Sequence, residues 1–136
     1  MKKLLPLLAL AALSALSSSS RADPLDFVGT WKNNDLATRG ITRMVFTPQP
    51  DGSVKVQVFG KCSPSDCDWG SVPTVAYART VSSVNPTMLT AVYEKGFART
   101  LLLLDYQGAS INLSSFTQFL DGSKRSNYYD WGIYKR

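Results

Sequence analysis

The chain has 136 residues, 15 of them Lys or Arg, 10 Asp or Glu and none His, for a formal charge of +5. That length holds a single domain with one modest core. The missing histidine excludes a His-based catalytic triad and any imidazole-ligated metal site. Glu94 is the only glutamate, so paired glutamates for acid–base work are absent too.

Lys2 and Lys3 precede an apolar Leu/Ala run from Leu4 to Leu16, and then come Ser17 to Ser20, Arg21 and Ala22. This is the three-part layout of a secretory signal peptide, with cleavage expected after Ala22. The apolar run is shorter than the roughly 20 residues a spanning helix needs, so no stable membrane anchor is expected. The domain reading is a signal peptide over residues 1–22 and a single β-barrel domain over 23–136. Losing Lys2, Lys3 and Arg21 leaves 12 basic and 10 acidic residues, or +2. That is an ordinary solubility charge. It lacks the clustered basic face of a nucleic-acid binder, so no nucleic-acid partner is expected.

Residues 23–136 contain no long stretch of helical period. Short runs rich in Val, Thr, Tyr, Phe and Leu alternate with Gly, Pro, Asn and Asp, which are strand and turn signals. Eight strands are expected, over 26–32, 41–47, 53–59, 72–79, 87–93, 97–106, 109–120 and 127–134. Val54, Val56 and Val58 give the clearest period of two. Leu101 to Leu104 is apolar on both faces. Asp51-Gly52, Lys95-Gly96, Gln107-Gly108 and Asp121-Gly122 place Gly where a tight turn wants positive φ. Consecutive strands with hairpin-length links predict an all-β fold, an eight-stranded antiparallel up-and-down barrel, with a flattened two-sheet sandwich as the alternative. The inward wall is expected to include Met44, Phe46, Val56, Val58, Tyr77, Met88 and Leu103. Cys62 and Cys67 are the only cysteines. In an exported chain they read as a structural disulfide, and their spacing is not that of a thioredoxin-like redox pair. The leader and this pair place the protein in the periplasm or the secreted fraction.

Gly29-Thr30-Trp31 opens the first strand, and this Gly-x-Trp resembles the signature of the calycin group: lipocalins, avidins and fatty-acid-binding proteins. The resemblance implies that Trp31 packs across the closed end of a barrel. It also implies that a basic residue of the last strand, Lys135 or Arg136, covers the ring. The segment Gly60-Lys61-Cys62-Ser63-Pro64-Ser65-Asp66-Cys67-Asp68-Trp69-Gly70, with Thr38 to Arg43 before it, is similar to an uncharacterised family of secreted lipocalin-like domains. That family implies a barrel and carries no activity, so no cofactor, metal or catalytic residue is assigned.

In an up-and-down barrel alternate connections share an end. The links over 33–40, 94–96 and 121–125, and the cysteine loop between the strands over 53–59 and 72–79, therefore gather at one rim, opposite the end where the chain enters. They carry Asp35, Arg39, Lys61, Asp66 and Asp68, along with Glu94, Lys95, Asp121, Lys124 and Arg125. Loops on a rigid scaffold are where binding residues concentrate. The candidate binding residues are Asp35, Arg39, Lys61, Asp66, Asp68 and Trp69, with Arg39 placed to pair with Asp66 or Asp68. The function expected is a non-catalytic binding barrel with a small-molecule ligand at its mouth. The alternative is a barrel that binds or inhibits an envelope or extracellular protein. Neither the ligand nor the oligomeric state is written in these residues.

Overall fold

Val54, Val56 and Val58 are buried while Lys55 between them faces out, and this alternation makes strand β3 (Val54–Gly60) one wall of a closed interior. The computed structural model describes residues 23–136, and the expected signal peptide lies outside the described residues. The remaining strands are β1 (Gly29–Asn33), β2 (Ile41–Pro48), β4 (Cys67–Pro73), β5 (Val75–Ala78), β6 (Pro86–Glu94), β7 (Ala98–Tyr106), β8 (Ile111–Phe119) and β9 (Tyr128–Lys135). They form one antiparallel sheet in the order β4-β3-β2-β1-β9-β8-β7-β6-β5, rolled into a nearly closed barrel.

The sheet has nine strands where eight were expected, because the expected strand over 72–79 starts earlier and bends. Its first part, β4, pairs with β3, and its second part, β5, pairs with β6. Pro73 has no N–H to give the ladder. At the bend the Thr74 N–H and Oγ1 both bond to the Val54 carbonyl, at 3.2 and 2.7 Å. There the chain leaves one neighbour for the other, and β4 also packs on β6. Residues 67–78 thus count as a single bent strand. The parity of the connections is that of an eight-stranded meander.

The chain enters through a 3-10 turn, Pro24–Phe27, where the sequence pattern had suggested strand. The Leu25 N–H donates to Asp23 Oδ1 at 2.9 Å, and the Asp23 N–H donates to Asp26 Oδ2 at 2.7 Å. This reciprocal capping, with Pro24 at the first position, favours the turn over an extended chain. The turn drives Phe27 into the barrel end against Phe46 and Tyr106, at ring separations of 5.5 and 5.3 Å. Trp31 is fully buried beside it and donates its indole N–H to the Phe27 carbonyl at 2.7 Å. The Arg136 guanidinium lies 4.3 Å above the Trp31 ring and donates to the carbonyls of Asp26 and Val28 at 2.6 and 3.1 Å.

Met44, Phe46, Val56 and Val58 are in the core, with Leu89, Leu102, Leu104 and Ile111. Tyr77, Met88 and Leu103 are not: they lie on the outer face of their strands, and their neighbours Leu89, Leu102 and Leu104 point in. The run Leu101–Leu104 is apolar on both faces, so its period cannot choose a side. A slip of one residue exchanges the two faces. Cys62 and Cys67 are disulfide-bonded, with Cα atoms 5.4 Å apart. Among the described residues no helix is long and apolar enough to cross a membrane.

Arg136 ties the last strand to the entry turn through two charge-assisted hydrogen bonds and the stacked indole. Arg136→Ala is expected to lower unfolding free energy by about 1–2 kcal/mol, read from urea denaturation. Arg136→Lys should recover only part of this, since a lysine cannot stack a planar cation while bridging both carbonyls.

Candidate ligand site at the barrel mouth

The mouth is organised by an irregularity in β4. In the β3–β4 ladder Gln57 faces Ser71 and Phe59 faces Asp68, so Trp69 and Gly70 together oppose Val58. This is a β-bulge, which re-aims a side chain and leaves backbone groups unpaired. Gly70 takes φ +81, a left-handed conformation that glycine adopts without penalty. The Gly70 N–H is taken by Asp68 Oδ1 at 2.8 Å, and the Gly70 carbonyl accepts from the Tyr93 hydroxyl at 2.9 Å. The same hydroxyl lies 3.0 Å from the Val56 carbonyl. So held, the bulge turns Trp69 inward, edge-on to Tyr93 at 5.6 Å. The indole also lies against Gly60, where a Cβ would stand 2.8 Å from its Nε1.

Below Trp69 the interior is filled by the core. Above it two adjoining cavities share Trp69, Thr117 and Tyr128. The larger, of about 310 Å³, has walls of Phe97, Phe119 and Tyr128, with Lys95 and Arg125 also lining it. Thr100 and Thr117 line it too; their hydroxyls are paired at 3.0 Å, and both residues are buried. The smaller, of about 110 Å³, is lined by Arg39, Lys61, Ser115 and Asp130. The cations are seated on rings. Lys95 Nζ is 5.0 Å from the Trp69 centroid, and the Arg125 guanidinium is 4.1 Å from that of Phe119. Arg125 is braced further by Asp121 at 2.7 Å and by the Ser123 hydroxyl at 3.1 Å. Hydrogen bonds from Ser123 and the Arg125 guanidinium hold the Asp121 carboxyl down at about 2.

Of the six candidate binding residues, Arg39, Lys61 and Trp69 come together at this mouth. Asp35 and Asp66 lie in a crevice outside the barrel beside Thr38 and Thr42. There Asp66 accepts from the Thr42 hydroxyl at 2.6 Å. Asp68 braces the bulge and accepts from Gln57 at 2.8 Å. Arg39 makes no ion pair with either: among the described residues the ion pairs are Arg99–Glu94 and Arg125–Asp121. Phe97, Thr100, Thr117, Phe119 and Tyr128 were not singled out from the sequence. The turn residues marked the rim, but the inward phase of β7, β8 and β9 at their upper ends carries no signal in the pattern. Among the described residues no group of His, Cys, Asp and Glu could hold a metal ion.

A second concavity, of about 450 Å³, lies on the outer wall between Arg99, Leu101, Phe116, Asn127 and Tyr129. Register places Val92, Leu101, Phe116 and Tyr129 in one row across β6 to β9, all at least a third exposed. Trp131 lies two residues further along β9 and is 69% exposed. Comparison with family models, curated proteins and solved structures returns no match to this chain.

Gly60→Ala should push the indole off the end of β3, because the new methyl meets a rigid ring and not a flexible tip. A loss of about 1–3 kcal/mol is expected, with a large shift of the Trp69 indole N–H resonance and little change in that of Trp31. Burial raises the Tyr93 and Tyr134 phenols well above the ordinary tyrosine value. The folded state thus resists a deprotonation that the unfolded chain undergoes near pH 10. Stability should hold up to about pH 10 and fall above it. In urea titrations across that range, Tyr93→Phe should make the fall shallower.

Proposed function

We propose that this protein is an exported, non-catalytic binding barrel of calycin type that holds a small molecule in its mouth. The observation that carries the reading is the cavity of about 310 Å³ above a filled core, walled by Trp69, Phe97, Phe119 and Tyr128. That volume lies at the lower end of small-molecule pockets, which span roughly 300–1,000 Å³. Apolar walls with a few polar groups at the floor and rim are what such pockets use. Support for the calycin type comes from Gly29-Thr30-Trp31 with Arg136 stacked on the indole. Support for export comes from the leader layout and from the Cys62–Cys67 disulfide.

A second reading, a barrel that binds an envelope or extracellular protein, draws on the outer row. Tyr129 and Trp131 are 72% and 69% exposed, and exposed aromatics are favoured protein-binding anchors.

The two readings part on a pair of variants. Phenylnaphthylamine, an uncharged fluorescent aromatic, is expected to bind the purified protein at one site. Trp69→Ala should weaken it about tenfold or more, while the double variant Tyr129→Ser, Trp131→Ser leaves it unchanged. Loss of binding in the outer-wall variant, with the Trp69 variant unaffected, would overturn the mouth reading in favour of the outer face.

A further inference from the structure

The mouth is charged out of proportion to the rest of the molecule. Residues 23–136 carry twelve basic and ten acidic side chains. Four of the basic ones, Arg39, Lys61, Lys95 and Arg125, line the two mouth cavities against one acid, Asp130. Asp121, bonded to Arg125 at 2.7 Å behind the lining, belongs to the mouth as well, which leaves four basic and two acidic groups there and a balanced eight and eight on the remaining surface. The larger cavity has no acid in its lining at all. A concave site with low-dielectric walls focuses such a field on whatever enters it.

From this, resting on the mouth reading above, we infer that the ligand is an aromatic anion. Its rings would sit among Trp69, Phe97, Phe119 and Tyr128, and its carboxylate, sulfonate or phosphate would lie at the rim with Lys95 and Arg125. A cationic ligand would meet like charge on faces of Trp69 and Phe119 that Lys95 and Arg125 already occupy. A neutral polar ligand would leave the rim charges unused. Lys95 pairs with no carboxylate among the described residues, and only ring faces hold it. Arg125 uses its Nε and one Nη2 hydrogen on Ser123 and Asp121. Of its five N–H groups about three stay free in a guanidinium whose position is already fixed, a geometry suited to an oxyanion. At the floor one hydroxyl of the Thr100–Thr117 pair donates to the other. The second keeps its hydrogen for a polar atom on the ring.

The test compares two probes that share a ring system, anilinonaphthalene sulfonate and phenylnaphthylamine, titrated by fluorescence at low and high salt. The sulfonate is expected to bind about tenfold tighter at low salt, with most of that advantage lost as salt rises. Lys95→Gln with Arg125→Gln should abolish the advantage, read as the ratio of the two probes' affinities in the same variant, so that any change in the apolar walls common to both probes cancels; both side chains are on surface loops, and circular dichroism checks that the barrel persists. Equal affinities for the two probes at the mouth would overturn the anion inference and leave the mouth reading standing. Binding of neither probe, or binding that Trp69→Ala does not weaken, would overturn both. A sulfonate advantage that survives the double Gln variant would assign the charge recognition to other groups and also overturn the inference.

Discussion

The chain between Cys67 and Ala78 hydrogen-bonds to β3 over its first half and to β6 over its second, and the barrel closes only through that change of partner. Two irregularities make it feasible. At Pro73-Thr74 a residue without an N–H is followed by one whose backbone and side chain both reach the Val54 carbonyl, so the ladder to β3 ends without an orphaned donor. At Trp69-Gly70 the bulge adds the residue that lets the strand bend, and Asp68 and Tyr93 satisfy the groups it frees. Without the bulge Trp69 would not face the mouth; without the bend the chain would not pass from β3 to β6 and bring the two ends of the sheet together.

Each end of the barrel has a tryptophan under a cation, and the two ends differ in what surrounds the pair. At the entry end Trp31 is fully buried, its N–H is satisfied by Phe27, and the 3-10 turn lies beside it with Arg136 locked to two carbonyls. The indole N–H and the guanidinium both have carbonyl partners inside the protein, and the turn and the cation cover the ring. At the mouth Trp69 is only partly buried, its N–H has no acceptor among the described residues, and Lys95 above it has no carboxylate. The same stacking that closes one end leaves hydrogen-bonding capacity unspent at the other.

Much of the barrel could be read from period and turn chemistry. The Val54-Val56-Val58 alternation and the glycines after Asp51, Lys95, Gln107 and Asp121 located hairpins, and antiparallel parity alone gathered the four loops at one rim. Three features were not legible, each for a physical reason. Residues 24–27 form a turn because Asp23 and Asp26 cap each other, a local bond that outweighs the extended preference of the residues after it. β4 begins at Cys67, where the disulfide loop closes, and runs through Asp, Gly and Ser with little strand propensity, because β3 offers it a ladder. The phase of Leu101–Leu104 was open because both faces are apolar, and the outward Leu101 joins an exposed row that only the register reveals. At the site, Arg39, Lys61 and Trp69 were legible as rim residues. Asp35, Asp66 and Asp68 were equally conspicuous in sequence and lie elsewhere, since short acids readily find nearby hydroxyl, amide and backbone donors.

That last point bears on how the mouth acquires its charge. The carboxylates of the rim loops are drawn away from the cavity by bonds within their own loops and along the outer face. Asp35 accepts from the Ala37 N–H, Asp66 from Thr42 and Asp121 from Ser123. Lysine and arginine have no acceptor atoms and longer stems, and Lys95 and Arg125 extend over the aromatic rings that line the opening. Of the rim residues, Arg39, Lys61, Lys95 and Arg125 line the mouth, whereas Asp35 and Asp66 are held outside it and Asp121 braces Arg125. The positive mouth is thus a consequence of where the loops' own hydrogen bonds pull the short side chains, and the net charge of the chain gives no sign of it.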